Sequence, residues 1–232
     1  LSRLPLATQK SSTVRRFASV PYLAMSVTAQ ELKTLEQMPE VTSIQEDKAV
    51  PATLAYSVPF IGGTTAWGSG YTGAGQAVAV LDTGVDKVHP LLKDKVIAEA
   101  CYSTTDSSYG VTSVCPGGVG ASTAPGSGVP CTGVEACSHG THVAGIVAGN
   151  GGSNSAPAGV AKGAGIIAMQ VFSKFSTEDV CGVGRAPCAL TLNSDQIMAL
   201  EQVYTWRNVH PIAAVNMSLG GGRYYDQASC DA

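Results

Sequence analysis

The sequence predicts an α/β fold, in which a parallel sheet is flanked by helices and is preceded by a small α+β unit. Apolar, strand-like runs at 76–81, 165–172 and 212–218 alternate with segments of helical pattern, and such alternation is typical of parallel, right-handed sheets. All seven cysteines lie in the later part of the chain. We therefore expect two units, a small one over residues 1–55 and a larger one over residues 56–232.

The small unit is predicted to have the order strand, helix, strand. Residues 19–27 and 41–44 carry apolar strand patterns on either side of the helix. Thr28 and Glu31 have the spacing of a capping box, in which each side chain binds the backbone N–H of the other residue. Pro39 is expected to end the helix. One face of the helix carries the apolar side chains that we expect to be buried, Leu32, Leu35 and Met38.

An acid and a histidine lie at sequence positions expected for the functional groups of a parallel sheet. Asp82 follows the strand pattern at 76–81 and precedes a glycine turn. His139 begins a short helix of small residues, which Ser138 can cap and Gly149 can close. Functional groups of open α/β sheets lie beyond the carboxyl ends of the strands, so Asp82 and His139 are expected to meet. A carboxylate beside a histidine is the arrangement of a Ser-His-Asp hydrolase.

Three polar residues near this pair are interpreted as structural. Asp86 and His89 are expected to hold the turn that follows Asp82. His142 lies one helical turn after His139, and we expect its ring to be packed inside and hydrogen-bonded.

The seven cysteines predict disulfide bonds rather than a zinc site. Cys137 lies close to His139 and His142, but the sequence has no Cys-x-x-Cys pair and the cysteine spacings are irregular. Disulfides would staple the Ser-, Thr- and Gly-rich insertion over residues 101–133, and they indicate an oxidising compartment. The sequence does not determine the pairing. We favour Cys181–Cys188 first, then Cys101–Cys115 and Cys131–Cys137, which leaves Cys230 for a partner elsewhere.

The last part of the larger unit is predicted to be a helix followed by a strand. The segment from Asn193 to Gln196 has the pattern of a capping box and opens the helix. Residues 212–218 form the strand, and glycines follow it. The helix is expected to face the sheet with four apolar side chains, Ile197, Leu200, Tyr204 and Val209.

The composition excludes several classes of function. Charged residues make up 13% of the chain, against about 25% in typical proteins, and the net charge of −3 comes with no basic patch. A nucleic-acid partner is therefore not expected. No apolar run approaches the roughly 18 residues that a membrane span requires. The chain begins at Leu1 without the apolar stretch of a signal peptide, and we interpret it as a fragment of a longer protein.

Three segments together resemble the signatures of the subtilisin-like serine proteases, the subtilase family. In the family's order they are Asp82-Thr83-Gly84-Val85-Asp86, His139-Gly140-Thr141-His142-Val143-Ala144-Gly145 and Asn216-Met217-Ser218-Leu219-Gly220. The resemblance implies a catalytic role for Asp82 and His139. It also implies that substrate is bound by Ser218, Leu219, Gly220 and Gly221. The family's nucleophile segment, Gly-Thr-Ser-Met-Ala, does not occur in the 232 residues, so we expect an incomplete catalytic domain with the serine beyond Ala232.

The resemblance also implies an activity. It predicts a secreted serine endopeptidase that hydrolyses the peptide bonds of polypeptide substrates. Residues 1–55 resemble the C-terminal half of the family's inhibitory propeptide, which implies a zymogen whose own pro-segment is an intramolecular inhibitor and folding chaperone. Calcium is common in the family, but no ligand cluster can be assigned, and no metal or cofactor is predicted.

Two packing expectations follow from the same resemblance. Ile61 and Trp67, in the Gly-, Thr- and Pro-rich connector over residues 52–75, would pack on the catalytic domain. Leu219 and the loop between Cys181 and Cys188 would line an apolar subsite for substrate.

Two other functions remain open. A protease relative that has lost its nucleophile would be a binding protein with the same frame. The other alternative is a secreted adhesion module that is held together by disulfides and carries the three motifs by coincidence. The residue at the serine position of the full-length protein distinguishes these alternatives.

Overall fold

The computed structural model describes residues 15–16, 23–25, 27–44, 54–151 and 157–220. The chain forms two compact units, Leu1–Ala52 and Thr53–Ala232, and each is described by itself. None of the helices in the described ranges combines the length and the apolar character needed to span a bilayer. The same ranges contain no cluster of three or more His, Cys, Asp or Glu side chains that could hold a metal ion.

The first unit contains a short antiparallel strand pair and one helix. β1 (Arg15–Arg16) pairs with β2 (Leu23–Ala24), and α1 (Ala29–Glu36) follows. The predicted capping box is confirmed, because the Glu31 N–H donates to Thr28 Oγ1 and the Thr28 N–H donates to Glu31 Oε2 at 2.7 Å. The bonds from the Thr28 N–H and then from its hydroxyl lower the pKa of Glu31, since they favour the ionised carboxylate.

The remaining predictions for the first unit are confirmed only in part. α1 ends before Pro39 as expected, but only Leu35 of the three apolar side chains is buried. Residues 41–44 are not a strand, because a strand requires a hydrogen-bonded neighbour and no described segment pairs with them. Of the strand predicted over residues 19–27, only β2 is present, while residues 19–22 and 26 lie outside the described ranges.

The connector predicted before the main sheet is helical where it is described. It contains α2 (Leu54–Phe60) and α3 (Gly63–Gly68). Trp67 packs as expected, since its indole N–H donates to the Val160 carbonyl at 2.9 Å. The expected packing of Ile61 is wrong, because this residue lies in the two-residue link between the helices and is 62% exposed.

The second unit is built on a five-stranded, mostly parallel sheet, which confirms the predicted α/β fold. Its strands are β3 (Ala77–Asp82), β4 (Val96–Tyr102), β6 (Ala121–Ser122), β7 (Gly165–Gln170) and β10 (Ile212–Asn216). The order across the sheet is β10-β3-β7-β4-β6, and only β6 is antiparallel to its neighbour. The three predicted runs therefore lie side by side, and β3 and β10 end at the same edge of the sheet.

β4 is a strand that the sequence pattern did not predict. Its sequence, Val-Ile-Ala-Glu-Ala-Cys-Tyr, has an acid in the middle, whereas strands of buried parallel sheets are usually continuous apolar runs. Glu99 is nevertheless only 8% exposed, because its carboxylate is paired with Lys87 Nζ at 2.7 Å. Lys87 belongs to another segment, so the local pattern could not reveal this pairing.

A smaller antiparallel sheet has the order β5-β8-β9. Its strands are β5 (Val111–Ser113), β8 (Phe172–Phe175) and β9 (Cys188–Thr191). The run predicted as one strand over residues 165–172 is therefore divided between two sheets. The buried Gln170 side chain marks the division, since its amide donates to the Phe172 carbonyl at 2.9 Å.

The three favoured disulfides, Cys101–Cys115, Cys131–Cys137 and Cys181–Cys188, are confirmed. Cys230 lies outside the described residues. The first two bonds hold the insertion over residues 101–133, which contains β5, β6 and short 3₁₀ turns. Cys181 ends the four-residue helix α5 (Glu178–Cys181), and its bond closes the loop that leads to β9. Such bonds stabilise a fold chiefly by restricting the unfolded chain.

The two longest helices of this unit cover opposite faces of the main sheet. They are α4 (His139–Ala148) and α6 (Asn193–Trp206). Ala79 and Leu81 of β3 belong to the core under α6, whereas Val80 belongs to the core under α4. Because alternate residues of a strand face opposite sides, Asp82 faces α4, as Val80 does.

The face of α6 that meets the sheet is not the one predicted. Ala199 and Val203 are buried against the sheet. The residues expected there are all exposed, Ile197, Leu200, Tyr204 and Val209. The small side chain of Ala199 allows the helix backbone to approach the strands closely, which the larger apolar residues would prevent.

The predicted cap of α6 is also wrong. Leu192 is the N-cap, and Asn193 is already helical. Asp195 turns inward instead of capping, and its carboxylate accepts the Thr104 hydroxyl at 3.0 Å. Burial raises the pKa of Asp195, because it disfavours the ionised form.

Candidate active site

Asp82 and His139, which are 57 residues apart in the sequence, meet at the carboxyl edge of the sheet. His139 Nδ1 lies 2.8 Å from Asp82 Oδ1. Asp82 is fully buried, and the Thr83 N–H donates to the same oxygen at 2.7 Å. The His139 side chain is 46% exposed, so the ring joins a buried carboxylate to an open surface.

The start of α4 is held by a residue that the sequence did not single out. Thr83 Oγ1 accepts the Gly140 N–H at 2.9 Å and donates to the Cys137 carbonyl at 3.2 Å. Ser138 makes no capping bond, because a 3₁₀ turn over Glu135–Ser138 runs directly into α4 and leaves Ser138 with helical backbone angles. The predicted cap at Ser138 is therefore wrong, and a tertiary contact from Thr83 replaces it. The position of Thr83 directly after Asp82 is the signal that could have indicated this role.

Gly140 has no side chain because the backbone of the aspartate turn, residues 82–87, lies directly against it. A Cβ at this position would lie 2.3 Å from the Gly84 carbonyl oxygen and 3.1 Å from Asp82 Oδ1. Real Cβ atoms do not approach backbone oxygens at the first of these distances. The small-residue character of α4 therefore follows from its contact with Asp82, at the expense of helix propensity. Gly149 closes the helix, as predicted.

We expect Gly140→Ala to destabilise the protein by about 1–3 kcal/mol, because α4 must move away from the aspartate turn. Gly145→Ala is the matched control, since a Cβ there meets nothing within 4 Å. In a helix this change should stabilise by about 0.5–1 kcal/mol. Urea unfolding of the two variants measures both effects. Equal stabilities would show that the close approach of Gly140 is not required.

Asp86 and His89 hold the turn, in agreement with the prediction. The Asp86 N–H donates to Thr141 Oγ1 at 2.8 Å, which ties the turn to α4. Asp86 Oδ1 accepts the Val88 N–H at 3.0 Å. His89 Nδ1 accepts the Leu91 N–H at 3.3 Å, so this ring is used in the local backbone structure.

The prediction that His142 packs inside the protein is wrong. His142 is exposed, while Val143 and Ala144 carry the buried face of α4. It borders a largely apolar depression of about 710 Å³, together with His89, Ser138 and Ile146. The helix period explains the difference, since a residue three positions from the half-exposed His139 also lies toward solvent.

Three of the four predicted substrate-binding residues lie just beyond β10. Asn216 pairs in register with Val80, so the chain reaches Ser218 at the same edge where β3 reaches Asp82. Ser218 and Gly220 are exposed, and among the described residues β10 is the outermost strand on its side of the sheet. Leu219 is partly buried against the core under α6, and its role in an apolar subsite stays a prediction. Gly221 lies outside the described residues.

The known proteins that are similar to this chain are proteases. The family model described as the subtilase family, peptidase S8, matches residues 73–231. The minor extracellular protease Vpr of Bacillus subtilis is 37% identical in an alignment 158 residues long that covers 66% of this chain and 17% of that protein. An extracellular protease of Xanthomonas campestris is 28% identical in an alignment 239 residues long that covers 91% of this chain and 39% of that protein. The chain therefore spans less than half the length of these relatives.

Among solved structures, that of a protease from Pseudoalteromonas arctica aligns over 72% of this chain and 47% of its own, with 26% identity and a TM-score of 0.45.

Proposed function

Because the chain belongs to the subtilase family and is thus part of a serine peptidase by family, we propose that it supplies the aspartate and histidine of a Ser-His-Asp endopeptidase. The observation that carries this proposal is the 2.8 Å contact between His139 Nδ1 and the buried Asp82. The contact uses one ring nitrogen and leaves Nε2 for a reacting group. The half-exposed ring supports the same role, since a catalytic base must be reached by substrate.

In the proposed mechanism, His139 is the general base. The serine oxygen attacks the scissile carbonyl carbon while its proton passes to His139 Nε2, and the peptide C–N bond then breaks as this proton moves to the leaving amine. Water hydrolyses the resulting ester by the same route. Asp82 accepts the Nδ1–H, which keeps Nε2 unprotonated in the resting state and stabilises the imidazolium that forms. The serine is proposed to follow Ala232 in the full-length protein.

The substrate is proposed to be an extended polypeptide that adds to the sheet beside Ser218, Leu219, Gly220 and Gly221. Main-chain hydrogen bonds of this kind bind a peptide whatever its side chains are. The exposure of Ser218 and Gly220 at the carboxyl end of β10, level with Asp82, supports the proposal. The absence of a side chain at Gly220 allows close approach of a second backbone.

We expect the 232-residue chain by itself to have no peptidase activity, because the Gly-Thr-Ser-Met-Ala segment is not among its residues. A fluorophosphonate probe should label the full-length protein and not this chain, and only the full-length protein should cleave casein. Cleavage by the purified chain that serine inhibitors abolish would contradict the proposal. A folded full-length protein that is neither labelled nor active would instead indicate the binding protein.

The protein is proposed to be secreted. Three disulfides form among the described residues, and such bonds persist in oxidising compartments. The two relatives named above are called extracellular proteases.

The first unit is proposed to be a pro-segment that inhibits the peptidase and assists its folding. Its α1 and capping box form a small unit without cysteine. We propose that residues 46–52, the tail of this unit, bind in extended form beside Ser218, Leu219 and Gly220 as a substrate would; residues 46–52 themselves lie outside the described ranges. A tethered inhibitor has an effective concentration of about millimolar order, so modest affinity suffices.

We expect the complete pro-segment, added in trans, to inhibit the mature peptidase competitively and to accelerate refolding of the denatured catalytic domain. The second effect is expected because non-local parallel strand pairing is slow without a template. Steady-state kinetics and recovery of activity after dilution from denaturant measure the two effects. Neither effect at micromolar pro-segment would show that the first unit is an ordinary domain.

A further inference from the structure

Glu99 is a buried acid with two specific partners. Its Oε2 accepts the Lys87 ammonium group at 2.7 Å and the Gly126 N–H at 2.8 Å. A buried carboxylate is costly unless it is paired and hydrogen-bonded. The adjoining β4 residues Ala98 and Ala100 are small and apolar, so the strand itself does not require an acid here. We therefore interpret the carboxylate as the acceptor that holds Lys87 and the Gly126 N–H in place.

Both groups belong to segments around the catalytic pair. Lys87 ends the aspartate turn, and Gly126 begins residues 126–131, here called the crossing segment. Backbone hydrogen bonds join the turn and the crossing segment in both directions, from the Val85 N–H to the Gly128 carbonyl and from the Cys131 N–H to the Thr83 carbonyl, each 2.8 Å long.

The contact between the turn and the crossing segment is very close. Gly84 has φ +93°, and a Cβ there would lie 2.0 Å from the Val129 carbonyl oxygen. No space separates the two backbones at this point, so a shift of the crossing segment must move the turn that carries Asp82.

The crossing segment is also connected to the histidine. It ends at Cys131, whose disulfide to Cys137 ties it to the 3₁₀ turn that leads into His139. The Thr83 hydroxyl donates to the Cys137 carbonyl in the same region. The crossing segment thus touches the approaches to both members of the pair, and Glu99 fixes its first residue.

We propose that Glu99 is a positioning residue for the Asp82–His139 pair, acting through Lys87 and the crossing segment. This inference rests on the proposed function, in which the two residues are catalytic. Glu99 itself touches neither reacting group. Catalytic side chains must be held within about 0.5 Å of their productive geometry, and one carboxylate oxygen that binds both the turn and the crossing segment provides such a support.

The test uses the tautomer of His139 in the 232-residue chain. Ring ¹⁵N NMR of histidine-labelled protein, at a pH where the ring is neutral, should show the Nδ1–H form in the wild type. Glu99→Leu removes the acceptor for both partners and should abolish this preference. Glu99→Gln keeps an acceptor for the Gly126 N–H and should therefore retain most of the preference of His139 for the Nδ1–H form. Val203→Ala, in the core on the opposite face of the sheet, is the matched control that destabilises without changing the tautomer.

The outcomes separate the inference from the function on which it rests. A wild-type tautomer in folded Glu99→Leu would overturn the positioning role. If that variant does not fold, Lys87→Met decides the question, because it removes the bond from Glu99 to the aspartate turn. A wild-type tautomer and wild-type Nδ1–H exchange in Lys87→Met would overturn the positioning role equally. In the full-length peptidase, Glu99→Gln should lower kcat with little change in KM. A wild-type His139 tautomer that does not respond to Asp82→Asn would overturn the proposed function, and the role of Glu99 with it.

Discussion

Replacing His139 with alanine in the full-length protein is expected to lower kcat by about 10⁶-fold, the size of effect known for loss of the histidine in subtilisin. Without the ring, no group within reach takes the serine proton or returns it to the leaving amine. The residual rate would come from substrate binding and from the groups that stabilise the oxyanion. Single-turnover kinetics on a chromogenic peptide, with circular dichroism to verify the fold, measures the effect.

His142→Ala is the matched control for this variant. Because His142 is exposed, we expect its loss to change the free energy of unfolding by less than about 0.5 kcal/mol and to leave kcat nearly unchanged. If His142→Ala abolished turnover in a folded protein while His139→Ala did not, the catalytic histidine would have been misassigned.

Asp82→Asn is expected to lower kcat by about 10⁴-fold while the fold is retained. Asparagine has no charge to stabilise the imidazolium, and its amide can donate to Nδ1, which leaves the proton on the wrong ring nitrogen. In the wild type the ring and the Thr83 N–H share Asp82 Oδ1, so an amide turned to donate to Nδ1 gives up the Thr83 bond, which should cost about 1 kcal/mol of stability without unfolding the protein. The pH-independent kcat of the full-length protein and its thermal unfolding are the measurements.

Asp86→Asn is the control for the aspartate. Asp86 lies in the same turn, and its Oδ1 accepts the Val88 N–H, which an asparagine oxygen can also accept. We expect nearly unchanged turnover. A loss of less than about tenfold for Asp82→Asn would contradict the catalytic role of the Asp82 charge. An equal loss for both variants would show that the integrity of the turn matters rather than this charge.

Several features of this protein could be predicted because their signals are local. The capping box of Thr28 and Glu31 depends on residues three positions apart. The disulfides of the insertion and of the loop before β9 join cysteines at most 14 residues apart. The apolar runs before Asp82 and through Asn216 are long enough to indicate buried strands without knowledge of their neighbours.

Other features could not be predicted, since they depend on contacts between distant segments. β4 has no local sequence signal, because Glu99 is acceptable in a buried strand only beside Lys87 and Gly126. The larger apolar residues of α6 predict the wrong inward face, because the close approach of the helix to the sheet favours Ala199.

The sequence by itself predicted the parallel sheet, the favoured disulfide pairs and the meeting of Asp82 with His139, because each depends on a short pattern or on the order of the motifs along the chain. Only the tertiary structure decided how this pair is held. Thr83 caps α4 in place of Ser138, Gly140 lies against Gly84, and His142 is turned to solvent. The physical reason is that these contacts arise when β3 and α4 pack together, and the geometry of that packing is not encoded within any one segment.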